Sequence, residues 1–284
     1  MAGEAWRVGE VKITRIIEIE ATGGMSRIIP DAKRELVRNI KWLHPHFCDE
    51  DGRMRGAIHA LIVDTPDLNI IVDTCIGNNK DRVIPAWNKL QTPFLSDIAE
   101  AGYPRESIDK VMCTHLHVDH VGWNTMLHED TWVPTFEHAR YLYSKTEFEH
   151  WRGENQASYG PLLADSIMPV FEAGLVDLVQ QDHQICPEIR LIPTPGHTPG
   201  HVSVMIESKG ESALITGDFL HHPCQIVHPE WSSSPDVDPA QAIATRRSMY
   251  QKLAGTPTLM IGTHFATPTA GHLVKDGNSY RLDV

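Results

Sequence analysis

Positive charge is in short supply in this sequence. Its 25 Lys and Arg face 37 Asp and Glu, a formal net charge of −12 over 284 residues. A phosphate backbone is bound by a Lys/Arg surplus, so nucleic acid is excluded as a partner, and adsorption to an anionic membrane surface is disfavoured. No run approaches eighteen apolar residues, which excludes a transmembrane helix. The segment MAGEAWRVGE has no basic stretch leading into an apolar one, so no secretory signal is expected. The five cysteines (Cys48, Cys75, Cys113, Cys186, Cys224) are scattered and never form C-x-x-C. That argues against a disulfide framework or a cysteine-rich zinc site, and fits a reducing, cytoplasmic location. Internal repeats and low-complexity linkers are also lacking.

What is present in excess is histidine, with 17 residues unevenly placed. The remaining composition, 41% hydrophobic and 22% charged, is that of a globular chain able to bury a core. The length suits one α/β domain over 1–284, with an irregular, aromatic N-terminal extension at about 21–56. Alternation and β-branching predict a strand over Val11–Glu20. Two apolar runs, Ala57–Asp64 and Asn69–Thr74, are split by Thr-Pro-Asp-Leu and predict a hairpin. Short strands are predicted at Asp109–Thr114, Arg140–Tyr143, Ile189–Pro193, His201–Glu207, Ser212–Thr216 and Thr258–Ile261. Helices are predicted at Phe94–Ala101, Lys145–Trp151, Tyr159–Ala173 and Asp238–Ala254. The last has Asp236 or Asp238 as cap, Pro239 in its first turn and Gly255 after its end.

The histidines collect where these strands run out. Thr114 to Asn124 reads THLHVDHVGWN, with His115, His117, Asp119 and His120 directly after an apolar strand. His197 follows LIPTPG, Asp218 follows ALITG, and His264 follows TLMIGT. In extended chain, residues two apart share a face, so H-x-H presents both imidazoles to one side. Five His and two Asp without Cys suit Zn²⁺, and also Mn²⁺, Fe²⁺ or Co²⁺. Seven donors exceed what one tetrahedral ion takes, but suit two ions that share a carboxylate and keep room for water, as catalytic sites do. Taken alone, Asp218 and His264 would read as a cap and a loop histidine; the joint pattern lifts them.

THLHVDH, then GHTPGH, then TGD, then GTH, in this order and at these strand ends, resembles the metallo-β-lactamase-fold hydrolase superfamily. IIVDTCIG, with Asp73, resembles its early strand-to-loop segment. The likeness extends to acyl-homoserine lactonases and organophosphate hydrolases. It implies an αββα sandwich. It also implies two divalent ions, zinc by default, with His115, His117 and His197 on one, Asp119, His120 and His264 on the other, and Asp218 bridging. Asp73 and His201 would support ligands by hydrogen bonds. His117 stands where oxygen- or nitric-oxide-reducing diiron relatives carry Glu, so redox chemistry is disfavoured. FLHHPCQIVHPEW after TGD replaces a long nuclease domain.

The activity so implied is attack of a metal-bridged hydroxide on the carbonyl of a small hydrophobic lactone or ester, with Asp119 as the catalytic proton carrier. The alternatives are a phosphotriester or aryl-ester hydrolase, and, in another class, a non-catalytic metal-binding scaffold. Pocket walls are expected from loops 42–48, 78–94, 123–124, 144–160 and 219–231. Trp123, Phe219, His221 and His222 are the nearest candidates to meet substrate. Segment 40–48 is a candidate for docking a partner subunit in a homodimer.

Overall fold

A computed structural model of the chain describes residues 4–153 and 160–284. Its contacts group into two compact units, one of residues 1–18 and 58–180, the other of residues 19–57 and 181–284. The segment expected as an extension belongs to the second unit.

Among the described residues, sixteen strands form two seven-stranded sheets and one two-stranded ribbon. The first sheet holds, in chain order, β1 (Ala5–Val8), β2 (Val11–Thr22), β3 (Arg55–Asp64), β4 (Asn69–Val72) and β5 (Lys110–Met112). The ribbon is β6 (Thr125–His128) with β7 (Thr131–Pro134). The first sheet is completed by β8 (Arg140–Ser144) and β9 (Val176–Val179). The predicted hairpin is there: β3 and β4 pair antiparallel with Asp64 opposite Asn69. Its turn is closed by the Thr65 hydroxyl, which accepts from Leu68 N–H at 2.9 Å. From β4 the sheet turns parallel through β5, β8 and β9. Ile70, Ile71, Val111, Met112 and Tyr141 are buried on these central strands. Parallel strands covered on both faces read as continuous apolar runs, which is why these segments were legible in the sequence.

Parallel pairing also sends the C-terminal ends of neighbouring strands to one edge, where α/β folds gather their functional loops. Asp73 follows β4, His115 follows β5, and Glu147 follows β8.

The second sheet runs β10 (Gln184–Cys186), β11 (Ile189–Pro193), β12 (Val202–Ser208), β13 (Glu211–Ile215), β14 (Leu259–Ile261), β15 (Ala270–Asp276) and β16 (Ser279–Asp283) in spatial order. β11 and β13 are both antiparallel to β12, and β13 is parallel to β14. Hence β11, β13 and β14 all point one way, and His197, Asp218 and His264 all lie beyond the same edge. The core of this unit joins Leu214 and Met260 to Phe47, Phe219, Phe265 and Tyr250. Tyr250 comes from the helix Pro239–Leu253, capped by Asp238, whose carboxylate accepts from Gln241 N–H at 2.9 Å.

The predicted helix Tyr159–Ala173 differs. Leu163–Ile167 forms a π-helical turn, and Met168–Glu172 continues as α-helix with Pro169 in its first turn. A proline removes one donor from the ladder, so the winding changes beside it. Tyr159 lies outside the described residues. Among those described, no helix is long and apolar enough to cross a membrane.

Candidate metal centre

In the first unit the site begins at Asp73, whose φ of +57° lies in the left-handed region that favours glycine over other residues. The return is a carboxylate turned inward. One oxygen accepts from Thr114 N–H at 2.8 Å, and the other accepts from His120 Nδ1 at 2.9 Å. The Thr114 hydroxyl donates to Asp73 at 2.9 Å and accepts from His115 Nδ1 at 3.1 Å. One buried carboxylate therefore orders His120 directly and His115 through a hydroxyl. With both Nδ1 atoms protonated, both Nε2 atoms carry a lone pair. His115 Nε2 and His117 Nδ1 converge at 2.9 Å, and Asp119 lies 3.7 Å from His120 Nε2. Asp119 keeps 16% of its side chain exposed, against 2% for Asp73.

The loop behind these donors is pinned by backbone hydrogen bonds. Thr74 N–H donates to the His120 carbonyl at 2.7 Å, and Gly122 N–H donates to the Cys75 carbonyl at 2.7 Å. A side chain at 122 would overlap the Ile76 carbonyl, so only glycine allows this approach.

In the second unit Asp218 is the hub. Its Oδ2 lies 3.1 Å from His221 Nε2, 3.2 Å from His264 Nε2 and 3.6 Å from His197 Nε2. His197 donates its Nδ1–H to Asp236 at 2.9 Å, and His264 donates its Nδ1–H to the Ala57 carbonyl at 2.9 Å. Carboxylate and carbonyl oxygens only accept, so the Nε2 atoms of His197 and His264 present lone pairs to an anionic oxygen. Burial lowers the pKa of His221 despite the opposing charge of Asp218, so that ring too is neutral near pH 7. Lone pairs turned on a buried carboxylate repel unless a cation lies among them. The donor set thus fits a divalent metal on its own chemistry, and His197, Asp218 and His221 bring their ligand atoms within 4.8 Å of one another.

Two supports steady this hub. His201 accepts from Asp218 N–H at 2.7 Å through Nε2 and donates to the Thr194 carbonyl at 3.0 Å through Nδ1. Gly217, at φ +57°, leaves the space the His201 ring occupies. Asp236 is the second support, a role the sequence reading did not give it. It is not the helix cap, which is Asp238. Burial alone would raise its pKa, but the hydrogen bonds from His197 and the Ser233 hydroxyl bring it below the ordinary carboxylate range. The clue in the sequence was SSSPDVD, two aspartates before one helix of which only one can cap it.

The residues expected to meet substrate have the following partners. His222 is buried, accepts from Cys224 N–H at 3.1 Å and donates to the Phe47 carbonyl at 2.8 Å, and burial pushes its pKa down to about 4. Both ring nitrogens are thus used within the unit. Phe219 is packed in the core beside Tyr250. Trp123 stacks on Phe94 at 5.5 Å and donates to Glu18 at 2.7 Å. Aromatic side chains bury large areas, and these are spent on packing. Trp42 lines, with Tyr280, Val227 and His228, a surface groove of about 530 Å³ to which none of the ligand residues contributes. His221 lies against Asp218, with its Nε2 3.1 Å from Oδ2. Of the expected wall 144–160, residues 154–159 lie outside the described residues.

The family model of the metallo-β-lactamase superfamily matches residues 53–264, more than half of the chain. The chain belongs to the metallo-β-lactamase superfamily. Its fold is that of the superfamily. It is similar to an N-acyl homoserine lactonase of a Bacillus species, at 29% identity over 171 residues, 55% of this chain and 61% of that protein. It is also similar to a probable metallo-hydrolase of Mycobacterium bovis, at 28% identity over 71% of this chain and 68% of that protein. The chain thus spans about half to six tenths of the length of the curated lactonases it matches. Among solved structures, the hydrolase AbOPH superposes with a TM-score of 0.81 at 25% identity, over 100% of this chain and 98% of that one. The dizinc quorum-quenching lactonase AidC superposes with a TM-score of 0.79 at 21% identity, over 98% and 96%. At that identity the second likeness concerns the fold.

Proposed function

We propose that this superfamily member is a metal-dependent hydrolase acting as one domain over 1–284, with a dinuclear centre that opens small hydrophobic lactones or esters. In this reading His115, His117 and His197 would hold one ion, Asp119, His120 and His264 would hold the other, and Asp218 would serve both. The observation that carries it is the ring of histidine Nε2 atoms on Asp218 Oδ2, two of them with lone pairs fixed by their Nδ1 partners. Imidazole and carboxylate suit zinc, with manganese, iron and cobalt compatible with the same donors. Bound there, the ions supply Lewis acidity and acidify a water towards neutrality.

The chain's own residues divide the remaining work. Asp73, Asp236 and the Ala57 carbonyl fix the tautomers of the ligand histidines, so no reorganisation is needed when metal binds. Asp119, the more exposed carboxylate, takes the proton of the attacking water and delivers it to the leaving oxygen as the acyl carbon–oxygen bond breaks. His221, neutral and beside the bridging carboxylate, offers a ring nitrogen to a polar group of the substrate. The lactone preference draws support from the curated lactonases among the relatives.

The test is metal content by mass spectrometry on protein purified without added metal, paired with a lactone and phosphotriester panel before and after chelation. Two metals per chain with chelator-sensitive lactone cleavage is the expected result. Preference for phosphotriesters or aryl esters would keep the centre and change the substrate. Two metals with no turnover of any ester would leave a metal-binding scaffold. Less than one metal per chain, not restored by zinc or manganese, would overturn the reading.

A further inference from the structure

Glu147 is buried at 1% exposure and is used by none of the chemistry above. It lies in the first turn of the helix Lys145–Gly153, directly after β8. Ser144-Lys-Thr-Glu147 has the pattern of a capping box, in which serine and glutamate serve their own helix end. The serine half is present, with Ser144 Oγ accepting from Glu147 N–H at 3.5 Å. The carboxylate reaches elsewhere. Its Oε1 accepts from Leu116 N–H at 3.1 Å, the peptide between His115 and His117, and from Trp151 Nε1–H at 2.7 Å. Trp151 lies four residues on, on the same helix face. Held there, its ring meets the His117 imidazole edge-on, with centroids 5.2 Å apart and planes at 79°.

A buried carboxylate carries a desolvation cost that a merely local cap, exposed at a helix end, would avoid. Here its two donors bracket His117: one fixes the backbone on its N-terminal side, the other fixes the wall its ring lies against. Asp73 orders His120 directly and His115 through the Thr114 hydroxyl, and the turn at His117 has a place for a second carboxylate. Glu147 fills that place by way of Leu116 and Trp151.

We propose that Glu147 is a positioning residue for metal binding, holding the H-x-H turn through Leu116 N–H and the His117 ring through Trp151. The inference rests on the dinuclear reading above and adds to it the residue that sets His117. A neutral glutamine can supply the same accepting oxygen, whereas leucine fills the volume without accepting.

The experiment compares wild type, Glu147→Gln and Glu147→Leu by chelator competition with zinc and by the visible absorption of the cobalt(II)-loaded proteins, with thermal midpoints alongside. Supporting residues of metal sites typically alter affinity about 10- to 100-fold. Glu147→Leu should lose affinity for one of its two ions within that range and change the cobalt bands, while Glu147→Gln stays close to wild type. Folded Glu147→Leu with wild-type affinity and cobalt spectrum would overturn the proposal. If Glu147→Leu does not fold, Glu147→Asp decides. It keeps the charge but withdraws the oxygen by one methylene, so a smaller loss of the same kind is expected, and wild-type affinity would overturn the proposal. Wild-type protein that binds no zinc or cobalt would remove the dinuclear reading and this inference together. Wild type binding two ions beside an indifferent Glu147 series would remove the inference alone.

Discussion

The two units solve one problem with the same device and different chain economy. Each collects its candidate donors beyond the C-terminal ends of strands that point one way, and each backs one of those histidines with a buried carboxylate, Asp73 behind His120 and Asp236 behind His197. In the first unit the donors are one contiguous turn, His115 to His120. In the second they come from three separate strand ends at His197, Asp218 and His264. A contiguous turn is set by local geometry and needs only its loop pinned. A dispersed set depends on the sheet register being right first. Each unit also buries an arginine. Arg82 is held by the Asp165 carboxylate at 2.6 Å beside Lys80, whereas Arg246 donates to the Phe219, Pro229 and Trp231 carbonyls, pinning the loop that follows the hub. Both also mix the two kinds of partner: Arg82 donates to the Asp81 carbonyl at 2.9 Å, and Arg246 lies 3.4 Å from the Asp236 carboxylate.

The sharpest way to break this comparison is to remove the hub. Asp218→Ala should lose metal and cut kcat/KM by more than the ~100-fold typical of a supporting residue. Metal analysis and steady-state rates on one preparation check both halves. A variant retaining both ions would show that the dispersed set does not depend on its carboxylate.

Next in size is the ionic cluster of the first unit. Asp165→Ala leaves Arg82 and Lys80 buried without their carboxylate, a loss of about 3–5 kcal/mol by analogy with broken buried pairs. Urea unfolding measures it. A loss under about 1 kcal/mol, the range of a surface pair, would mean water replaces the carboxylate and the cluster is not closed.

Asp73→Asn and Asp236→Asn test whether the two supports are equivalent. Each should weaken metal binding about 10- to 100-fold. Asp73→Asn should be the worse of the two, because that carboxylate serves His120 directly and His115 through Thr114. Chelator competition ranks them, and the reverse order would place the more demanding support in the second unit.

The smallest effect is a pH slope. Burial lowers the Lys80 pKa from 10.5 to about 7, only partly opposed by Asp165. A lysine depressed in the folded state binds fewer protons there than in the unfolded chain between those two values, so stability should rise with pH from about 7 upward. The slope is at most about 1.4 kcal/mol per pH unit. Denaturation between pH 7 and 9.5 should show it in wild type, and Lys80→Met should flatten it. An unchanged slope in Lys80→Met would assign the effect to other groups.

What could be read from the sequence followed the range of the interactions. THLHVDH declared itself because its donors are neighbours, and β4, β13 and β14 did so through the apolar runs Ile70–Val72, Ala213–Ile215 and Leu259–Ile261. β15 and β16 went unpredicted, since their polar, half-exposed residues carry little hydrophobic pattern. Asp236 and Glu147 were hidden because each has a local reading, as a helix cap or a capping-box partner, that its side chain does not follow.

Sequence by itself determined the superfamily and placed the candidate donors at strand ends, because these depend on residue type and order along the chain. Tertiary structure alone decided which nitrogen of each histidine faces inward, which carboxylates stand behind them, and that His222, Phe219 and Trp123 belong to the core. Those outcomes depend on hydrogen-bond partners from distant segments, as with Ala57 for His264, Phe47 for His222 and Glu18 for Trp123. Contacts between residues so far apart in the chain exist only after the sheets have formed.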